Sequence, residues 1–333
     1  MVEEGENIMN GETLLAVEDL SVYYYTLEGV VKAVRNLNFQ LGKGEILCLV
    51  GESGSGKSTV GLAISGALPE NAMIASGKII FNDIDLLRLP EEKLREIQGR
   101  EISIIFQDPA ATLNPLFTIG SILTDVIKTH LGITEKDKVK KLALEMLKIA
   151  GLPDPERIYN SYPHELSGGM LQRAIIAVAL STRPKLLIAD EPTTMLDVTL
   201  QAQILDLLLD LQKKFKLSIL FITHNLGVAA EIADRILVMY AGIGLEEAST
   251  YEILRNPLHP YTKGLIECVP RCHIRVSKLR YIPGSLPDLR NPPPGCPFHP
   301  RCPYAMDICK REEPPMIEVK TGHRVWCHLY SKR

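Results

Sequence analysis

The segment Gly51-Glu-Ser-Gly-Ser-Gly-Lys57-Ser58 constrains this chain more than any other. It has the spacing G-x4-G-K-[ST]. It follows an uninterrupted apolar run, Ile46 to Val50, and precedes a helix-forming stretch from Ser58 to Leu68. A buried strand feeding a helix is the context in which this spacing carries chemistry. Glycines let the backbone turn tightly and aim its N–H groups at an anion, and the helix start adds its positive dipole end. Gly51, Ser53, Gly54, Ser55, Gly56 and Thr59 are therefore expected to cradle phosphates. Lys57 is expected to reach the β- and γ-phosphates and the Ser58 hydroxyl to bind Mg²⁺. A glycine-rich turn without chemistry would need neither flanking element.

A second apolar strand, Leu186-Leu-Ile-Ala, ends in two adjacent acids, Asp190 and Glu191. A buried strand does not keep unpaired carboxylates inside. Both should emerge at its C-terminal end, where α/β sheets bind ligands. Asp190 is placed to hold Mg²⁺ through water, and Glu191 to act as base for an attacking water. Alone, such a pair could equally cap a turn; beside a phosphate loop the chemical reading is preferred. Around these motifs strand-like and helix-like segments alternate, the pattern of an α/β domain with a parallel core. LAVEDLSVYYY and VVKAVRNLNFQL read as opening strands with a turn at Glu28-Gly29, and ISIIFQ as a buried strand. Between about 108 and 183 the pattern turns helical, with Val139, Leu142, Met146 and Ala150 on one face. Strands return in SILFIT and RILVMY. From about residue 245 proline becomes dense and the chain reads as a small, loop-rich appendage.

Of the 333 residues, 46% are apolar and 23% charged, an ordinary globular balance. No apolar run reaches the roughly 18–20 residues that span a bilayer. The acidic, polar start is no secretory signal, and residues 1–12 are expected to be a flexible lead-in to a soluble intracellular protein. A net charge of −3 argues against a nucleic-acid partner. Residues 271–333 nevertheless hold 12 Lys/Arg against 5 Asp/Glu. That excess marks either a tail with its own task or a solvated basic surface. Seven cysteines without a signal sequence do not suggest a disulfide framework, yet Cys296, Cys302, Cys309 and Cys327 cluster near the end.

Leu166-Ser167-Gly168-Gly169-Met170-Leu171-Gln172-Arg173 precedes the helical run AIIAVALSTR. Ser167 is a good helix N-cap, and the two glycines expose N–H groups for a second anion site. With this motif the chain resembles the ABC ATPase family over about residues 13–245, and the remaining motifs follow in the family's order. Gln107 in FQDP matches the Q-loop, Leu196-Asp197 the D-loop and His224 in FITHN the switch histidine. Tyr25 matches the aromatic that stacks on adenine, with Tyr23 and Tyr24 as alternatives. A histidine after an apolar strand is commonly structural; standing 33 residues after Glu191 at the end of the next strand, His224 fits γ-phosphate sensing. The resemblance implies an ATPase with a RecA-like P-loop NTPase core, an antiparallel β subdomain and an inserted helical subdomain at about 108–183. It implies Gln107 as a further Mg²⁺ ligand and relay. It also implies two subunits sandwiching two ATPs, with Ser167, Gly168 and Gly169 acting on the partner's nucleotide. Met170, Leu171 and Met195 depart from the usual residues, and after VMYAG the altered turn (IGLEEAST) blurs the end of the core.

The tail, residues 246–333, opens with His259-Pro-Tyr-Thr262 and runs through GSLPDL to CPFHPRCPYAMDIC. It resembles the C-terminal extension of oligopeptide/dipeptide importer ATPase subunits. Its spacing, C-x5-C-x6-C-x17-C, lacks the short knuckles typical of zinc sites. Four thiolates in a proline-rich loop suit a 4Fe–4S cluster, and the resemblance favours one; zinc or unligated thiols remain the alternatives. Cys268 and Cys272 read as spares and Cys48 as core packing. The resemblance further implies a heterodimer with a related ATPase subunit on the cytoplasmic face of the cell membrane. It implies two transmembrane permeases, an extracellular binding protein reached through them, and cargo that is peptide, or else oligosaccharide or nickel. Leu116, Phe117 and Ile119 form either a groove for the permeases' coupling helices or ordinary core. Rival readings are a soluble, non-transport ABC ATPase and a redox-sensing ATPase.

Overall fold

A computed structural model describes residues 12–108, 112–269 and 280–331. The expected lead-in, save Glu12, and Cys272 lie outside the described residues. The chain divides into two compact units, Met1–Leu87 with Ile222–Arg333, and Arg88–Phe221.

In the first unit β1 (Thr13–Thr26) and β2 (Gly29–Gly42) pair antiparallel across the expected turn. Leu15, Val17, Leu20 and Val22 are buried. The pairing slips beside Asp19 and Asn36, which take φ of +48° and +45°. Asp and Asn tolerate this left-handed backbone, and the bulges it makes strengthen the strand twist. The slip is pinned by reciprocal bonds. Asp19 N donates to Asn38 Oδ1, and Asn38 Nδ2 to Asp19 Oδ1, each at 2.9 Å. Then come β3 (Ile46–Val50), α1 (Lys57–Ser65), β4 (Ala72–Phe81) and β5 (Ile84–Asp85). β4 pairs with β1, giving a four-stranded sheet in the order β2-β1-β4-β5. All five residues of β3 are buried, as a parallel strand covered on both faces requires.

The second unit comprises α2 (Glu91–Ile97), β6 (Ile102–Ile105), α3 (Ile119–Leu131), α4 (Lys136–Ile149), α5 (Pro155–Asn160), α6 (Gly168–Leu180), β7 (Leu186–Asp190) and α7 (Val198–Phe215). β8 (Ser218–Thr223) runs across the unit boundary. β6 and β7 pair in parallel. Three helices between them, α3, α5 and α6, begin on side chains that accept from freed backbone N–H groups, those of Thr118, Asp154 and Ser167. The apolar face expected on α4 is the packed one. Val139, Met146 and Ala150 are buried and Leu142 is half-buried.

Returning to the first unit, α8 (Leu226–Ile232) leads to β9 (Arg235–Tyr240) and β10 (Ile243–Ser249). Then come α9 (Thr250–Arg255), α10 (Pro260–Cys268), β11 (Met316–Lys320) and β12 (His323–Trp326). β3 pairs in parallel with β9. A two-residue turn, Ala241-Gly242 with φ of +50° and +81°, folds β10 back antiparallel. β12 then pairs with β10, and β11 with β12. The expected core boundary at 245 thus falls inside β10, and the tail adds two strands to that strand's free edge.

The residues that blurred this boundary in the sequence are core. Glu246 is fully buried, accepting from Leu258 N at 2.7 Å, His259 N at 2.8 Å and the His323 ring at 2.8 Å. Glu247 is paired with Arg235 and Arg324. Buried carboxylates persist only with such partners. Among the described residues no helix is long and apolar enough to cross a membrane.

Candidate functional site

The phosphate loop lies in the first unit, between β3 and α1. Its glycines are fixed by neighbouring backbone as well as by their own torsions. A Cβ on Gly51 would sit 2.1 Å from Met239 O, and one on Gly56 2.3 Å from Ala33 O. Gly54 and Gly56 hold φ of +82° and +99°, a region that favours glycine. Lys57 opens α1 and is 4% exposed. Its Nζ donates to Gly51 O at 2.8 Å, Glu52 O at 2.9 Å and Ser55 Oγ at 3.3 Å. The ammonium therefore sits inside the curl of the loop, at the positive end of the helix. Ser58 and Thr59 follow in the first turn.

Of the three tyrosines at the end of β1, Tyr24 reaches this helix, with its hydroxyl 3.2 Å from Thr59 Oγ1. Tyr25, the residue the resemblance selected, is 48% exposed, and successive strand residues point to opposite faces. His224, also in this unit, is exposed immediately after β8 and just before Asn225, the cap of α8.

In the second unit Asp190 ends β7 and is 6% exposed. Glu191 follows with φ of +46°, strained for a residue with a long side chain. Its carboxylate accepts from Gln107 Nε2 at 3.1 Å and from Thr194 Oγ1 at 2.9 Å. The structure thus brings Gln107, 84 positions earlier in the chain, onto the acid pair. Ser167 caps α6 by accepting from Met170 N at 3.4 Å, leaving Ser167 and Gly168 exposed at the helix start. Gly169 is buried; a Cβ there would press on Leu200 of α7 at 3.1 Å. Asp197 caps α7, accepting from Thr199 N and Leu200 N at 3.0 Å each. The three apolar residues after Gln107 divide. Ile119 is core, whereas Leu116 and Phe117 are 80% and 49% exposed.

Cys296, Cys302, Cys309 and Cys327 line one small cavity in the tail, together with Phe298 and His299. Cys296 N donates to Cys309 O at 2.9 Å. Gly295 allows this approach, since a Cβ there would lie 2.4 Å from that same carbonyl. Burial first, then the nearby thiols, push Cys296 up to about 12 and Cys327 up to about 11, and burial raises Cys302. Among the described residues no group of three or more His, Cys, Asp or Glu side chains is placed to hold a metal ion, so the expected 4Fe–4S site at these cysteines is not supported by the geometry. Cys48 is wholly buried in β3, and burial raises its thiol well above the usual range.

Sequence reasoning missed a contact to the phosphate loop. Arg301, in the cysteine segment, makes a two-pronged ion pair with Glu52. Only the charge of the two residues was visible in the sequence.

Comparison with known proteins matches residues 34–194 to the ABC transporter family model and residues 245–309 to the oligopeptide/dipeptide transporter C-terminal region. The chain is 49% identical to the Bacillus subtilis oligopeptide transport ATP-binding protein OppD, over 94% of this chain and 87% of that one. It is 47% identical to AppD, an oligopeptide transport ATP-binding protein of the same organism, over 96% and 98%. A third relative, the dipeptide transport ATP-binding protein DppD of B. subtilis, is 46% identical over 97% and 96%. Among solved structures, a post-hydrolysis dimer of the ATP-binding cassette MJ0796 with ADP and Pi superposes with a TM-score of 0.64. That structure is 29% identical and covers 71% of this chain and 99% of its own.

Proposed function

Because the chain belongs to the ATP-binding, ATP-hydrolysing subunits of ABC transporters, we propose that it powers uptake of oligopeptides or dipeptides through partner permeases. One observation carries this reading. A nucleotide core and the tail stand in a single chain that is 46–49% identical, nearly end to end, to ATP-binding proteins named for peptide transport. The subunit works at the cytoplasmic face, peripheral to the membrane. Its partners are a related ATPase subunit, two permeases and, through them, an extracellular binding protein. The exposed Leu116 and Phe117 are the part of the expected groove offered to a permease helix. Reconstituting the complete transporter in vesicles tests the proposal: peptide and its binding protein are expected to raise ATP hydrolysis and drive peptide uptake. ATP hydrolysis indifferent to peptide, without uptake, would remove the importer reading and favour a non-transport ATPase.

Within the subunit, Lys57 and the N–H groups of Gly51–Thr59 take the phosphates of ATP. Oxygen donors suit Mg²⁺, and Ser58, Asp190 and Gln107 supply them. Glu191, steadied by Gln107 and Thr194, accepts a proton from the attacking water. His224 senses the γ-phosphate, and Ser167, Gly168 and Gly169 address the nucleotide of the partner subunit. For adenine stacking the geometry favours Tyr24 over Tyr25, since Tyr24 is the one at α1. Tyr24→Ala is expected to raise the KM for ATP about tenfold, and Tyr25→Ala to leave it nearly unchanged, a stacked base being worth ~1–3 kcal/mol. The reverse ranking would return the role to Tyr25.

The four cysteines that line one cavity suit a 4Fe–4S cluster in donor chemistry but not in their present spacing, and the thiols would have to draw together and lose protons to hold it. Such a cluster would supply a redox-sensitive cross-link within the proline-rich tail. Anaerobically purified chain is expected to carry iron and acid-labile sulfide, both lost in Cys309→Ser. Zinc instead, or no bound metal, would overturn this assignment.

A further inference from the structure

Arg301 stands one residue before Cys302, and its guanidinium grips the phosphate loop. Nη1 donates to Glu52 Oε2 at 2.8 Å and Nη2 to Glu52 Oε1 at 3.0 Å. A planar fork on a carboxylate fixes both distance and orientation, which a lysine does not. The other donors are also held. Nε bonds Pro283 O at 2.8 Å, Nη2 also Ile282 O at 3.2 Å, and Nη1 also Tyr240 Oη at 3.3 Å. The cation lies over the Tyr240 and Phe298 rings at 5.7 and 6.0 Å. With its side chain 7% exposed, Arg301 has little freedom, so a shift of the cysteine segment is passed to Glu52.

Glu52 is where such a shift matters. Its carbonyl accepts from Lys57 Nζ at 2.9 Å and from Ser55 N at 3.2 Å, and its N–H donates to Tyr261 Oη at 2.9 Å. One residue thus ties the loop's lysine to the tail's arginine. Two more contacts seat the tail on the same region. Leu286 Cδ2 lies 3.4 Å from where a Cβ on Gly54 would be, and Leu289 O accepts from Lys32 N at 3.0 Å. There is also a charge argument. Glu52 places a carboxylate in a loop built to receive anions, and Arg301 neutralises it; unpaired, it would repel a triphosphate at short range.

We propose that Arg301 is a positioning residue for nucleotide binding. By forking onto Glu52 it sets the curl of the phosphate loop and cancels its one negative side chain. ATP affinity therefore depends on the state of the cysteine segment that carries it. The proposal rests on the reading of Gly51–Thr59 as an ATP cradle.

Titrating the full chain with ATP and Mg²⁺ tests it, with melting followed in the absence of nucleotide. Arg301→Ala is expected to raise the Kd about tenfold, equivalent to ~1.4 kcal/mol. Turnover at saturating ATP should be largely kept, so that the loss falls in KM. Arg301→Lys, which keeps charge but loses the fork, should fall between. Adding Glu52→Gln to Arg301→Ala should restore part of the affinity, because the unpaired charge is gone; a merely structural anchor predicts no rescue. Cys302→Ser should shift the Kd in the same direction as Arg301→Ala. An unchanged Kd in folded Arg301→Ala, or a double variant no better than the single, would overturn the proposal. If Arg301→Ala does not fold, Arg301→Lys and Glu52→Gln alone decide it, and wild-type affinity in both would be the negative result. Wild-type chain that bound no ATP would instead sink the nucleotide reading itself.

Discussion

Glu191→Gln is expected to leave ATP bound while cutting turnover roughly a thousandfold, within the ~10²–10⁴ range for loss of a general base. The argument is local. Glu191 follows the buried strand β7, and its left-handed backbone turns the residue out of the strand direction. Strain of that kind persists only where surroundings hold it, and here Gln107 and Thr194 both donate to the carboxylate. Glutamine keeps the shape and one carbonyl acceptor but cannot take a proton. Phosphate release from the assembled transporter, with trapped nucleotide counted beside it, measures both halves. The expected state holds ATP in a closed dimer without turnover; hydrolysis at the wild-type rate would remove Glu191 as the catalytic carboxylate. Gln107→Ala should act more mildly, since it frees the carboxylate's orientation without removing it.

How far the sequence could be read depended on how local the cause was. The strand, loop and helix around Gly51–Ser58 need only neighbouring residues, and they form as their spacing implies. The same holds for the cap at Ser167, where a side chain serves an N–H group three residues on. Tyr24 and Tyr25 were not separable. The β1–β2 pairing shifts register between Val22 and Tyr23, and a shift there decides which tyrosine faces which side. Around Glu246 and Glu247 the altered turn IGLEEAST blurred the end of the core, because their partners His323 and Arg324 stand 77 residues further along the chain. Leu116, Phe117 and Ile119 looked alike, yet Ile119 begins α3 and is buried while the other two stand exposed in the preceding loop. Longer still is the link from Glu52 to Arg301, 249 positions apart. No spacing rule reports a contact of that length; only the folding of the tail onto the loop creates it.

Lys57→Ala is expected to weaken ATP binding roughly a hundredfold or more, because charge-assisted hydrogen bonds to phosphate are worth ~1.5–3 kcal/mol each. The buried ammonium has two tasks, separable by experiment. It holds the loop by donating to Gly51 O, Glu52 O and Ser55 Oγ, and it supplies a positive charge for which the oxygens of a triphosphate would replace those acceptors. Lys57→Met keeps most of the packed stem and removes only the head group. If charge is the larger task, alanine and methionine should lose affinity alike; if packing is, methionine should retain most of it. The comparison with Arg301→Ala then ranks the two cations. Lys57 meets the phosphates and its loss should nearly abolish binding, whereas Arg301 acts through Glu52 and its loss should only weaken it. Titration of all three variants, with circular dichroism confirming the fold, gives that ranking directly. Equal losses from Lys57→Ala and Arg301→Ala would mean that the shape of the loop, rather than its lysine charge, dominates capture of the nucleotide.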